Sequence, residues 1–203
     1  MQWVIGIDEV GRGCLAGPIT VAAVAARRSV KKFLRGIKDS KKLSPKQREE
    51  WYKFFLSLAT RQQLLSYAVS SVGQATIDRI GISRTAKLAV GRCLRKLKVK
   101  SERSKVAFSM PCVKIVLDGS LYAPRTYQNQ DTIIKGDEQI PLIAAASIVA
   151  KVTRDSTMTR LHNHFPLYGF SAHKGYGTKI HRAAIAQHGL CALHRKSFCK
   201  NLN

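Results

Sequence analysis

Acidic residues follow several apolar stretches of this sequence. Asp8 and Glu9 lie near the end of the stretch at residues 2–10, and later stretches end at Asp118 and Asp137. One such acid is well explained as a turn former or a helix cap, but four are poorly explained in a chain with only twelve acidic residues. Hard cations such as Mg²⁺ and Mn²⁺ prefer oxygen ligands. The pattern therefore predicts a divalent metal centre.

These acids need a fold that brings them together. Apolar runs predict five strands, at residues 2–10, 19–26, 64–72, 113–119 and 132–137. Helical spacing and capping signals predict helices at residues 45–59, 76–97 with a break near Gly81, 141–163 and 178–187. This alternation indicates an α/β fold. The carboxyl ends of neighbouring strands in an open α/β sheet converge on one edge, where the four carboxylates would meet.

The charge of the chain indicates its partner. Thirty-five Lys and Arg against twelve Asp and Glu give a formal charge of +23, which favours nucleic acid. Carboxylates would repel that partner unless cations neutralised them, so the chemistry predicted is two-metal phosphodiester hydrolysis. A basic non-catalytic RNA- or DNA-binding protein would explain the charge equally well, but not the acids.

The location of the protein is also predicted from composition. No window reaches the roughly 18 apolar residues of a membrane span, so no membrane partner is expected. The start of the sequence has no secretory pattern. The five cysteines include no C-x-x-C pair, which is typical of reduced thiols. We expect a cytoplasmic protein that needs no more than a monomer.

The segment Gly11-Arg12-Gly13 follows the first acids after a single valine. Its spacing to Gly17 does not match G-x-G-x-x-G, and adjacent carboxylates would oppose a pyrophosphate. A plain tight turn would explain the glycines but not a cation beside acids. We favour a substrate contact in which the glycines let backbone amides approach closely and Arg12 meets a phosphate.

Two further segments are assigned no role in catalysis. The charge run at residues 95–105 is typical of a solvated helix end and flexible loop, with a nucleic-acid contact as the less favoured alternative. Residues 190–203 are predicted to be a loose tail after a catalytic domain of residues 1–189. Four residues near this tail could bind zinc, although their spacing matches no common structural zinc site. They are His188, Cys191, His194 and Cys199.

With these residues in view, the sequence resembles ribonuclease HII, the bacterial type 2 ribonuclease H family. The resemblance covers nearly the whole chain, in the order GIDEVGRGCLAGP, KDSKKLS, VLDG, KGD, IAAASIVAKVTRD, YGFSAHKGYGT and LHRKSF. Two departures are Cys14, where the family often has proline, and a longer basic stretch near residues 98–112. The related ribonuclease HIII carries an added N-terminal domain, whereas the first catalytic strand here begins at residue 3, which favours type HII.

The resemblance implies a ribonuclease H-like fold with a central mixed five-stranded sheet, flanking helices and a small helical C-terminal part. It implies cleavage of the RNA strand of RNA/DNA hybrids and incision 5′ of single ribonucleotides in duplex DNA, leaving 3′-hydroxyl and 5′-phosphate ends. Asp8, Glu9, Asp118 and Asp137 would bind Mg²⁺ or Mn²⁺. Gly11, Arg12 and Gly13 would sense the ribose 2′-hydroxyl and its phosphate, and Tyr176 would stack on the next sugar.

Other polar residues are weaker candidates. Asp155 rivals Asp137 as the fourth ligand, but it follows Lys151 by four helical positions, which favours an ion pair. Ser147 and Lys151 share a helix face, and His173 could alternatively assist proton transfer. Six residues are predicted phosphate contacts, each with an ordinary surface role as the alternative. They are Lys41, Lys42, Ser147, Lys151, His173 and Lys174.

Overall fold

A computed structural model describes residues 3–37, 39–60, 64–97 and 113–202. Five strands form one sheet in the order β3-β2-β1-β4-β5. They are β1 (Trp3–Val10), β2 (Ile19–Arg27), β3 (Leu65–Val72), β4 (Val113–Asp118) and β5 (Gln130–Ile133). β2 is antiparallel to both β1 and β3, whereas β4 is parallel to β1 and β5. The predicted mixed five-stranded sheet and α/β class are confirmed.

Seven α-helices and several short 3₁₀ turns connect the strands in the described part of the chain. The helices are α1 (Pro45–Thr60), α2 (Gln74–Ile80), α3 (Ile82–Lys96), α4 (Gly136–Gln139), α5 (Pro141–His164), α6 (Phe170–His173) and α7 (Lys179–His188). The predicted break near Gly81 is confirmed, since this residue separates α2 from α3 with a φ of 79°. None of the described helices is long and apolar enough to cross a membrane.

Helices cover both faces of the sheet. Helix α3 packs on one face, where Ile5 and Ile7 of β1 are fully buried. Helices α1 and α5 cover the other face, where α5 is rich in alanine and approaches the sheet closely. A Cβ atom on Gly6 would lie 2.3 Å from the backbone carbon of Leu142 at the start of α5. Alternate residues of β1 therefore point to opposite layers, and this alternation decides where each acid lies.

The structure differs from the sequence prediction in two places. The strand predicted at 132–137 lies earlier, at Gln130–Ile133, and Asp137 lies in α4 instead of at a strand end. The chain leaves β5 early because Lys135 takes a left-handed conformation with a φ of 53°. Residues 190–202, predicted to be loose, are packed, and Arg195 among them is fully buried. The division at residue 189 itself stays a prediction.

Candidate active site

Asp8 and Asp118 lie side by side at the same end of two parallel strands. The register pairs Ile7 with Leu117, so the next residue of each strand carries a carboxylate. Both acids point to the face covered by α5, because Ile7 and Leu117 point into the core under α3. The predicted meeting of acids at one sheet edge is therefore found for this pair.

Asp137 reaches the same place from the short helix α4. The Asp118 carboxylate accepts hydrogen bonds from the backbone N–H of Gly136 at 2.6 Å and of Asp137 at 3.4 Å. Gly136 has no room for a side chain, since a Cβ atom would lie 2.6 Å from Ile143 Cδ1. Asp118 thus holds the start of α4 against the sheet, and this contact carries Asp137 inward.

Three carboxylates consequently form a compact group, which we call the acid centre: Asp8, Asp118 and Asp137. Their ligand oxygens all lie within 4.8 Å of one another. Asp8 and Asp137 are buried, and Asp118 is half-buried. It is the one group of three or more potential metal ligands found within the described ranges. Buried oxygen donors at this spacing fit a hard divalent cation.

Burial and mutual repulsion disfavour the charged form of these acids. Burial, followed by the Glu9 carboxylate, raises the pKa of Asp8 well above its usual value, although a hydrogen bond with Ser147 opposes the shift. Burial and the neighbouring Asp137 also raise the pKa of Asp118. Cations at the centre would relieve this cost, because they favour the ionised carboxylates.

Glu9 lies outside the acid centre. It follows Asp8 in β1 and so points toward the α3 layer, where its carboxylate pairs with Arg12 at 3.3 Å. Burial raises the pKa of Glu9, while Arg12 opposes the shift. The charge of Asp118 also acts on Glu9, so the two carboxylates remain electrostatic neighbours. A ligand role for Glu9 stays a prediction.

Lys41 and Lys42 lie beside the acid centre in a 3₁₀ turn at Ser40–Lys42. The ammonium of Lys41 is 3.3 Å from the Asp137 carboxylate, and that of Lys42 is 3.3 Å from Glu138. Burial opposes the charge of Lys41, but the Asp137 and Asp39 carboxylates outweigh it and raise its pKa. Both side chains are exposed, and their contact with a phosphate stays a prediction.

The glycine loop, residues 11–18, continues from β1 toward β2. Arg12 is anchored at its base by Glu9, and its Nη2 donates to the hydroxyl of Ser83 at 3.2 Å. Gly11 has a φ of 87°, which favours glycine. Nothing lies within 4 Å of a Cβ placed on Gly13, so this side of the loop is open.

Tyr176 lies next to the glycine loop. The backbone N–H of Leu15 donates to the carbonyl of Gly175 at 2.9 Å, which holds the tyrosine turn against the loop. The residue is 38% exposed, which leaves surface for a sugar to contact. The Lys151 ammonium lies 5.7 Å from the ring centroid, and Lys151 also pairs with Asp155 at 2.9 Å. The predicted helical ion pair of Asp155 is therefore confirmed.

The remaining predicted phosphate contacts are engaged within the protein. Ser147 is buried, and its hydroxyl lies 2.8 Å from that of Ser40. His173 is buried; its Nε2 lies 2.7 Å from the Tyr168 carbonyl and its Nδ1 accepts from the N–H of Gly175. The Lys174 ammonium donates to Thr159 and to the Ser171 carbonyl. This geometry favours structural roles for Ser147 and His173, and their predicted substrate contacts stay untested.

Two arginines beneath the glycine loop were missed by the sequence analysis. Arg154 and Arg195 are fully buried, and their guanidinium groups donate to backbone carbonyls of the loop. Buried arginine is rare, so the residue type argued against burial. For Arg154 the helical spacing did favour it, since Ala150 and Met158, four positions away on either side, lie on the buried face of α5. Two motifs of the family resemblance were further signals, since IAAASIVAKVTRD contains Arg154 and LHRKSF contains Arg195.

Comparison with known families agrees with this geometry. The sequence profile of ribonuclease HII matches residues 5–201. The chain belongs to the ribonuclease HII family. It is therefore an endonuclease of the ribonuclease H type that acts on nucleic acid and depends on a divalent metal.

Individual relatives cover nearly the whole chain. The ribonuclease HII of Coxiella burnetii strain RSA 493 is 40% identical over 195 residues, which is 96% of this chain and 87% of the relative. That of Caldicellulosiruptor bescii is 38% identical over 201 residues, or 99% and 88%. The solved structure of ribonuclease H2 from Pyrococcus horikoshii OT3 has a TM-score of 0.72 and 26% identity, and covers 98% of this chain and 96% of that one.

Proposed function

We propose that this ribonuclease HII cleaves the RNA strand of RNA/DNA hybrids and incises 5′ of a single ribonucleotide embedded in duplex DNA. The products would carry 3′-hydroxyl and 5′-phosphate ends, and the incision would start the removal of ribonucleotides from DNA. One observation carries the proposal: the acid centre, Arg12 and Tyr176 lie around one edge of the sheet. A ribonucleotide would then place its phosphate at the acid centre and at Arg12, with the next sugar against Tyr176.

The acid centre supplies the ligands for the reaction. Asp8, Asp118 and Asp137 would hold two Mg²⁺ or Mn²⁺ ions, and Glu9 would complete the set by releasing Arg12. When bound, such ions activate a water molecule and stabilise the leaving 3′ oxygen. The Lys41 ammonium, already beside Asp137, would meet the same phosphate from its outer side.

The glycine loop and Tyr176 would select the substrate. The 2′-hydroxyl is both a donor and an acceptor, and it alone distinguishes RNA from DNA at one nucleotide. Backbone groups of Gly11, Arg12 and Gly13 would contact that hydroxyl and its phosphate, while Tyr176 would stack on the next sugar. Further phosphate contacts are proposed for Lys42, Lys151 and Lys174. We propose that the enzyme acts as a monomer.

The test uses a DNA duplex with one ribonucleotide and a fluorescent 5′ label. We expect a nick 5′ of the ribonucleotide with Mg²⁺ or Mn²⁺, no nick with EDTA, and no cleavage of the matched all-DNA duplex. A polymerase should extend the product, since its 3′ end carries a hydroxyl. Binding without a metal-dependent nick, or a nick on the 3′ side, would contradict the proposal.

A further inference from the structure

Arg195 holds the glycine loop from beneath. Its Nη2 donates to the carbonyl of Gly11 at 2.7 Å, its Nη1 to that of Arg12 at 2.9 Å, and its Nε to that of Gly17 at 3.0 Å. Neither Arg195 nor Arg154 forms a salt bridge within the described residues. Burial lowers the pKa of Arg195 to about 10, so the guanidinium stays charged at neutral pH. The planar guanidinium therefore donates its hydrogen bonds to backbone oxygens and not to a carboxylate.

These contacts fix the direction of two peptide groups. In a trans peptide the C=O of one residue and the N–H of the next point in opposite directions, and the described chain contains no cis bond. Because the carbonyls of Gly11 and Arg12 point down at Arg195, the N–H groups of Arg12 and Gly13 point away from it. Neither N–H donates a hydrogen bond to any residue that the structure describes. Two free donors thus face the open side of the loop.

The chain segment around Arg195 is anchored firmly enough to impose this direction. The N–H of Arg195 donates to the carbonyl of Leu15 at 2.8 Å, and the N–H of Gly17 donates to that of Leu193 at 2.9 Å. On the far side, the carboxylate of Asp78 accepts from the N–H groups of Lys196 and Ser197, both at 3.0 Å. The segment joins the glycine loop to α2.

We propose that Arg195 is a positioning residue for ribonucleotide selection, because it aims the N–H groups of Arg12 and Gly13 at the substrate. The inference rests on the proposed function, in which the glycine loop contacts the ribose and its phosphate. Arg195 touches no substrate itself. It fixes donors that would otherwise rotate with the loop, and fixed donors lose less entropy on binding than mobile ones.

The test compares binding of two duplexes in an Asp118→Asn background, which removes an acid-centre ligand so that binding can be measured apart from cleavage. One duplex carries a single ribonucleotide and the other is all DNA. Fluorescence anisotropy gives the binding ratio, which is the dissociation constant of the all-DNA duplex divided by that of the ribonucleotide duplex. We expect Arg195→Lys to reduce this ratio by about tenfold, because an ammonium cannot hold three carbonyls in a fork. Affinity for all-DNA should stay within about twofold, since the positive charge is kept.

Asp78→Asn is the matched control for general loosening of the segment. It weakens the outer anchor but leaves the inner bonds, from the N–H of Arg195 to Leu15 and from that of Gly17 to Leu193, which hold Arg195 against the loop. The melting temperature should therefore fall while the binding ratio stays at the starting value. If Arg195→Lys does not fold, a synthetic 191–203 segment carrying citrulline at position 195 can be ligated at Cys191. Citrulline keeps the shape but places an oxygen where a donor stood, so the ratio should fall as well.

Three results would overturn the inference. The first is equal binding of the two duplexes before Arg195 is changed. The second is an unchanged binding ratio in Arg195→Lys or in the citrulline protein. The third is a fall of the binding ratio in Asp78→Asn as large as that in Arg195→Lys. Failure of the proposed function is a separate result, namely no metal-dependent nick by the unmodified protein. The binding ratio is measured without cleavage, so it decides the role of Arg195 in either case.

Discussion

The acid centre and the arginine pair, Arg154 and Arg195, both bury like charges close to the glycine loop. The arginines are satisfied by the protein itself, since each donates three hydrogen bonds to backbone carbonyls. The acids also accept hydrogen bonds, but these do not offset the burial of their charge, because the pKa of Asp8 stays strongly raised and the Lys41 ammonium forms its ion pair with Asp137. One cluster is complete without a ligand, whereas the other lacks positive charge.

The two clusters therefore have different roles: the arginines support the fold, and the acids serve the reaction. A buried charge that has its partners within the fold rigidifies its surroundings, and removing it leaves those partners unsatisfied. A buried charge without such partners costs stability, which an added cation can return. We therefore expect opposite responses when the two clusters are neutralised.

Asp118→Asn should have the largest effect on activity. Loss of this ligand, which also anchors α4, should lower the rate of cleavage by at least about a thousandfold, or roughly 4 kcal/mol. Duplex affinity should be retained, because less negative charge faces the phosphates. Single-turnover nicking and a binding titration measure the two effects. Cleavage at the unmodified rate would show that Asp118 is not a metal ligand that the reaction needs.

Arg154→Ala should have the largest effect on stability. It leaves the carbonyls of Ala16, Pro18 and Lys174 without their donor, and we expect a loss of about 3 kcal/mol or more in the free energy of unfolding. The exposed Arg160 lies on the same helix, so Arg160→Ala should change this free energy by less than about 0.5 kcal/mol. Denaturant unfolding checks both. Equal losses would show that Arg154 is not a structural centre.

Arg12→Ala changes a residue that contacts both a neighbour of the acid centre and a member of the arginine pair. Arg12 pairs with Glu9 beside the acid centre, while its own carbonyl is held by Arg195. We expect about a tenfold loss in the preference for a ribonucleotide junction over a long hybrid, equal to about 1.4 kcal/mol. Competition between the two substrates in one reaction measures it. An unchanged preference would restrict Arg12 to its pair with Glu9.

Asp8→Asn should raise the stability of the metal-free protein. The folded protein keeps a proton on Asp8 at pH values where the unfolded chain has lost it, so the free energy of unfolding falls as pH rises above the usual aspartate pKa. At neutral pH the variant avoids this cost, and a rise of a few degrees in melting temperature corresponds to about 1 kcal/mol.

The matched measurement adds Mn²⁺ to both proteins. The unmodified protein should gain melting temperature and the variant should gain little, because it has lost a ligand. Mn²⁺ affinity of the unmodified protein should weaken as pH falls, since protons compete for the raised-pKa carboxylates. If Asp8→Asn is less stable than the unmodified protein at neutral pH, the buried Asp8 carboxyl does not destabilise the metal-free fold.

The sequence predicts parts of this site unequally, for physical reasons. Asp8 and Asp118 follow apolar runs that predict strands, and the parallel register found in the structure places the two acids together. Asp137 was predicted on a strand, but a left-handed residue ends β5 early and a helix carries the acid. The separation of Glu9 from Asp8 follows from strand alternation alone, so that signal was present in the sequence.

The burial of Arg195 could not be predicted from its own surroundings. Its partners are carbonyls of a loop 184 positions away, and only the folded topology brings them together. Charge runs are solvated in most proteins, which favours a loose tail for such a segment. The predicted basic stretch at residues 98–112 lies outside the described ranges, so its role stays a prediction.

The distance along the chain between Gly11 and Arg195 also affects when the enzyme matures. A ribosome adds about 5 to 20 residues per second, so roughly 10 to 40 s pass between synthesis of these two residues. During that interval the nascent chain has its first acids but lacks the guanidinium that orients the loop. On the proposed role of Arg195, selective nicking would begin only after the segment that carries this residue has left the ribosome and docked on the loop.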